Sequence, residues 1–133
     1  MMIPFKFIIT LFLLVTFTTS VDAQQTAALP DGVIMAVKNG DTNKLSASFN
    51  DQIEIILPTK TAVYSKKQAE MVLKDFVEKH PVTEFQLIHQ VKKDKASFAI
   101  ANYYASNGRY RFTFLTKLNG GKIYIHQIRI EKQ

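Results

Sequence analysis

The chain contains no cysteine. No disulfide can brace the fold, and no thiolate can serve as nucleophile or metal ligand. Acidic residues are in short supply, with 11 Asp and Glu against 17 Lys and Arg and a net charge of +6. Such a balance favours anionic surfaces or ligands. Histidine is sparse: His80, His89 and His126 share no metal-ligand spacing, so no metal site is expected. After residue 21 no apolar run approaches the roughly 20 residues needed to span a bilayer. No internal repeat or low-complexity segment occurs.

The N-terminus carries what the rest lacks. Met1–Lys6 holds one positive charge, and Phe7–Val21 is a mostly apolar stretch of 15 uncharged residues. Val21-Asp22-Ala23 then places Val and Ala at the −3 and −1 positions before Gln24. This pattern defines a secretory signal peptide over residues 1–23, cut after Ala23, and an exported periplasmic or secreted product. With no cysteine beyond the apolar run there is no lipid attachment, and no membrane span is expected after cleavage. The remaining 133 − 23 = 110 residues, 24–133, suit one domain with a single core, and 47% apolar residues permit it. Export argues against nucleic acid as the partner of the basic charge. Lys92, Lys93 and Lys95 bracket Asp94 and read as a solvated hairpin tip.

Along the chain, Val33, Ile34, Ala36 and Val37 repeat at helical spacing, and Asn39-Gly40 ends that helix. Asp41 or Thr42 caps a second short helix over Asn43–Ser48. The segment DQIEIILP, residues 51–58, alternates as a strand stopped by Pro58, and Pro58–Thr61 reads as a loop. Tyr64–His80 is the longest helix. Ser65 and Gln68 form a capping-box pattern, and Ala69, Val72, Leu73, Phe76 and Val77 make its apolar stripe. Four strands follow, over Val82–Val91, Lys95–Ala105, Arg109–Leu118 and Lys122–Lys132. In the last, Ile123 and Ile125 fall on one parity and Ile128 and Ile130 on the other, which predicts a β-bulge near His126-Gln127. The order α-α-β-α-β-β-β-β gives an α+β cone, a strongly bent antiparallel sheet wrapped around the long helix.

This order, with NGDTNKLSASF leading into DQIEIILP and a final IHQIRIE strand, resembles the nuclear transport factor 2-like superfamily, also called cystatin-like α+β. YSKKQAEMVLKDFVEKHP, followed by FQLIH and GRYRF, is similar to a family of small secreted Bacteroidetes proteins that is a domain of unknown function. The superfamily hosts isomerases, dehydratases, ligand carriers and interaction modules, so the resemblance implies a fold and export rather than an activity. Its ketosteroid isomerases need a carboxylate base and two acidic groups facing the developing oxyanion. The resemblance matches the base to Leu57, the helical tyrosine to Val33 and the protonated acid to Phe114, all apolar. Aliphatic and phenyl groups move no protons, so that chemistry is absent and no catalytic residue or cofactor is assigned.

The expected ligand pocket is therefore apolar: Val33, Leu57, Phe76, Phe85, His89, Tyr104, Phe112 and Phe114. His89 joins it by sharing parity with Phe85 and Leu87. Tyr103, Tyr104, Tyr110 and Phe112 form an aromatic cluster that packs across strands or walls the pocket. Arg109 and Arg111 lie on the outer face, where they can grip an anionic partner, and that sheet face is the expected homodimer surface. Glu54 and Glu84 fall on polar parities and are expected to face solvent. The expected function is non-catalytic binding of a small apolar, amphipathic or anionic ligand, or of a protein. The alternatives are an enzyme built around His89, Tyr103 or Tyr104 and Arg111, and a structural envelope module using its basic face.

Overall fold

A computed structural model describes residues 28–133. The signal-peptide assignment, residues 1–23, and the expected start of the mature chain, residues 24–27, lie outside the described residues. The element order is α1 (Val33–Lys38), α2 (Thr42–Ser46), β1 (Phe49–Ile56), β2 (Thr61–Ser65), α3 (Lys66–Lys79), β3 (Val82–Val91), β4 (Ala96–Ala105), β5 (Gly108–Asn119) and β6 (Lys122–Lys132). The expected order holds, with one strand more. β2 is a five-residue edge strand pairing antiparallel with β1, and it occupies part of the segment assigned to a loop and the start of the long helix. Only Ala62 and Tyr64 of β2 turn inward, so it shows little apolar alternation; its signal was the run Thr-Ala-Val-Tyr.

Local chemistry sets the helices. Asp41 caps α2 by accepting from the Lys44 N–H at 3.0 Å. The capping box of α3 is complete: Gln68 N–H donates to Ser65 Oγ at 3.2 Å, and Ser65 N–H donates to Gln68 Oε1 at 3.1 Å. Ala69, Leu73 and Phe76 form the buried stripe of α3, with Val72 and Val77 packed beside it. Gly40 joins α1 to α2 with φ +64°, and a Cβ there would sit 3.3 Å from Val77 Cγ1, so both backbone and space demand glycine.

The sheet is ordered β2-β1-β6-β5-β4-β3 and is antiparallel except where β1 runs parallel to β6. Its inner face holds Ile53, Ile55, Phe85, Tyr103, Phe112, Phe114, Ile125, Ile128 and Ile130, all buried under the helices. The expected bulge is present. Leu115 pairs with Gln127 while Thr116 pairs with Ile125, so His126 is the extra residue. Without it Ile128 and Ile130 would point outward; with it they join Ile125 in the core.

Candidate functional site

A cavity of about 570 Å³ opens at the end of the sheet where β6 finishes. α3 supplies Met71, Val72, Asp75, Phe76 and Lys79, and His80 follows at its C-cap. The turn after β1 supplies Leu57, Pro58, Thr59 and Lys60; Tyr64, Tyr110 and Lys132 close the remaining sides. The floor is apolar and aromatic. Lys60, Lys79 and Lys132 stand around it with Asp75 as the one carboxylate, and Lys79 Nζ meets Asp75 Oδ2 at 2.9 Å. That pair is exposed, so solvent screening leaves it little weight in stability.

His80 is held at this cavity by the hairpin between β4 and β5. Asn107 Nδ2 donates to Lys79 O at 2.9 Å, which turns Asn107 Oδ1 toward His80 Nδ1 at 3.1 Å. An amide oxygen only accepts, so His80 carries its proton on Nδ1. The Tyr110 hydroxyl lies 3.2 Å from His80 Nδ1 and 3.5 Å from Nε2, within reach of both ring nitrogens. The Tyr103 hydroxyl donates to His80 O at 2.5 Å, satisfying a carbonyl at the end of α3. Burial, with Tyr110 adding to it, pushes the Tyr103 phenol up to about 12, so it remains a donor through the neutral range. Phe76 packs edge-on to Tyr110 at 5.1 Å, and Tyr103 stacks on Phe112 at 4.8 Å with a 7° angle between rings.

The expected pocket residues divide into three groups. Leu57 and Phe76 line the cavity. Val33, Phe85, Phe112 and Phe114 are packed into the core at 0–2% exposure, and the interior they would have lined is filled. The isomerase-like positions Val33 and Phe114 are thus packing residues, while Leu57 faces the cavity with a side chain that moves no proton. His89 and Tyr104 lie on the outer sheet face. A second bulge, at Ile88, explains His89: Leu87 pairs with Ala101 but His89 with Ile100, so parity reverses after Leu87 and Gln90 turns inward instead. In β4, Ala99, Ala101 and Tyr103 are buried, so Phe98, Ile100 and Tyr104 take the outer parity. Cavity residues missed in the sequence include Lys60, Tyr64, Asp75, Lys79, His80 and Lys132, whereas Tyr110, from the aromatic cluster read as cross-strand packing or pocket wall, does line the cavity. Their signal was the N-G hairpin after Tyr104, which places Tyr110 opposite Tyr103, near the helix end marked by His80-Pro81.

The outer face carries Arg109 and Arg111, both exposed, as the alternation implied. Arg109 lies 5.7 Å from the centre of the Tyr104 ring, and Arg111 pairs across strands with Glu131, which Arg129 also approaches at 3.5 Å. Glu54 accepts from Gln127 Nε2 and Glu84 from Gln86 Nε2, each at 2.6 Å. Phe98, Ile100 and Leu115 form a half-buried apolar strip on this face. His126 Nε2 is buried without a hydrogen-bond partner, and burial followed by the charge of Lys117 lowers the pKa of the ring. Among the described residues no cluster of three His, Asp or Glu side chains could hold a metal, and no helix is long and apolar enough to cross a membrane.

A bent six-stranded sheet wrapped on one long helix is the nuclear transport factor 2-like fold. A nuclear transport factor 2-like protein of unknown function from Silicibacter pomeroyi shares it at a TM-score of 0.58 and 12% identity, over 75% of this chain and 86% of that one. The chain belongs to the family described as "Domain of unknown function (DUF4783)", whose model matches residues 30–131. A DUF4783 family protein from Bacteroides uniformis is 34% identical at a TM-score of 0.75, over 78% of this chain and 96% of that one. Another, from Bacteroides ovatus, is 32% identical at a TM-score of 0.76, over 80% and 96%. No curated protein matches the chain.

Proposed function

We propose that this is an exported, non-catalytic binding domain whose cavity takes a small amphipathic anion, an apolar body with a carboxylate-like head. The observation that carries the reading is the cavity lining. Leu57, Tyr64, Val72 and Phe76 offer an apolar floor, while Lys60 and Lys132 stand at its edge without an ion pair among the described residues. An apolar body gains by leaving water, and an ammonium group fixes the charged end. His80 and Tyr110 supply the polar groups that orient it.

A homodimer through the outer sheet face is the accompanying reading. The strip of Phe98, Ile100 and Leu115 and the unpartnered His126 Nε2 support it, because a second copy would cover the one and can supply a partner to the other.

Native mass spectrometry of the chain Gln24–Gln133 purified from a bacterial periplasm tests both. A reproducible adduct released on denaturation, with two subunits per particle, is the expected result. Clean apo protein, together with no shift of the His80 ring resonances on adding decanoate to about 1 mM, overturns the cavity reading. A single subunit overturns the dimer.

A further inference from the structure

The opposite end of the sheet carries a second feature, independent of the cavity. The β3–β4 and β5–β6 hairpins meet there, joined by a hydrogen bond from Leu118 N–H to Lys95 O at 3.0 Å. Between them lies a hollow of about 640 Å³ into which Lys92, Lys93, Lys95 and Lys117 converge with Asp94 as the single acid, a local charge of 4 − 1 = +3. Lys93, Lys95 and Lys117 have no ion pair among the described residues. Leu118 stands 51% exposed beside them, and Ile123 completes the apolar part of the rim. Lysines around a protruding leucine suit an interface in which ammonium groups meet anionic headgroups and the aliphatic side chain enters the acyl boundary. A small inorganic anion would make no use of Leu118.

The path of the chain points to the same surface. Thr116 Oγ1 donates to Ala28 O at 2.7 Å, and Ala28 N–H donates to Gln90 Oε1 at 3.1 Å. The polypeptide therefore joins the domain beside the lysine hollow. Residues 22–27 are all that separate Ala28 from the apolar stretch Phe7–Val21. Six residues reach at most about 20 Å, so while that stretch is in a membrane this end is held toward the bilayer.

We infer that the lysine-lined end formed by the β3–β4 and β5–β6 hairpins docks on anionic phospholipid bilayers. The negative surface potential of such a bilayer rewards each lysine by about a factor of five in partition, and the attraction fades within a Debye length.

The test is sedimentation of Gln24–Gln133 with vesicles of phosphatidylglycerol and phosphatidylcholine, against vesicles of phosphatidylcholine alone. Binding is expected only to the anionic vesicles, and is expected to be lost in about 0.5 M salt. The combined variant Lys93→Glu, Lys95→Glu and Lys117→Glu is expected to lower partition by about a hundredfold or more. Lys38→Glu, Lys67→Glu and Lys74→Glu, an equal charge change on exposed helix positions, is the control and is expected to keep most of the binding. Leu118→Gln is expected to weaken binding without changing its salt dependence. Circular dichroism melts identify any variant that fails to fold, and Leu118→Gln provides the test should the triple variant do so. Equal binding to both vesicle types, an equal loss in the control variant, or binding of inorganic polyphosphate without binding to vesicles would overturn the proposal.

Discussion

The Tyr103 hydroxyl ties the end of α3 to the sheet, and Tyr103→Phe removes it while keeping the ring that stacks on Phe112. At pH 8 the variant loses one neutral hydrogen bond and leaves the His80 carbonyl without its donor. Together these are expected to cost about 1–3 kcal/mol. The alkaline range gives an independent signature. The phenol is pushed up to about 12 in the folded chain from its ordinary value of 10.0, so between those values the unfolded chain has released a proton that the folded chain still holds. Stability then falls as pH rises, fully retained below pH 10 and lost through pH 12. For one group the loss at pH 11 is about 1.4 kcal/mol. The phenylalanine of the variant has no such proton, so the gap between wild type and variant should narrow by about that amount between pH 8 and pH 11. Urea unfolding followed by circular dichroism at the two pH values measures it. Contributions from groups common to both proteins largely cancel in the difference. Parallel pH profiles would refute the buried-donor account, whatever the cost at pH 8.

Two further substitutions probe the core and the outer face. Phe114→Ala, at a fully buried position, is expected to destabilise by about 3–5 kcal/mol in urea unfolding; a loss below about 1 kcal/mol would mean that this position borders open space after all. Burial lowers the His126 pKa from its ordinary 6.5, so the unfolded chain takes up a proton first and stability falls as pH drops below neutrality through 6.5 toward the folded value. His126→Gln should flatten that decline in unfolding curves recorded between about pH 5 and pH 7.5, and an unchanged slope would assign it to other groups.

The fold was legible wherever side-chain periodicity met a clear stop. Ser65 with Gln68 and His80 with Pro81 bounded the long helix, and the slipped parity of Ile123, Ile125, Ile128 and Ile130 located a bulge from sequence alone. Ile88 carried no comparable mark. It is apolar and sits between Leu87 and His89, so an inward parity for His89 read as continuous with Phe85, and nothing betrayed the reversal that sends Gln90 inward to Ala28. Tyr103 and Tyr104 posed a similar ambiguity. Either could face inward, and the small Ala99 and Ala101 on the parity of Tyr103 looked less like core than Phe98 and Ile100 did. The core chose the alanines because Phe85, Phe112 and Phe114 already fill that space. The cavity was least legible because it depends on five segments meeting: the turn at Leu57–Lys60, β2 at Tyr64, the end of α3, the start of β5 and the end of β6. No spacing along the chain encodes that meeting.

The position of β6 has a consequence for how the domain is made. The last strand in the chain is third in the sheet, with β1 on one side and β5 on the other. Until it arrives, β1 and β2 form an isolated hairpin and β3 to β5 a meander with an open edge. A ribosome delivers the chain from its N-terminus, so the strand that joins the two halves follows both of them. Ile125, Ile128 and Ile130 come with it, and their absence leaves the centre of the core unfilled. The two halves are therefore expected to share one stable core only once β6 is available to pair with both.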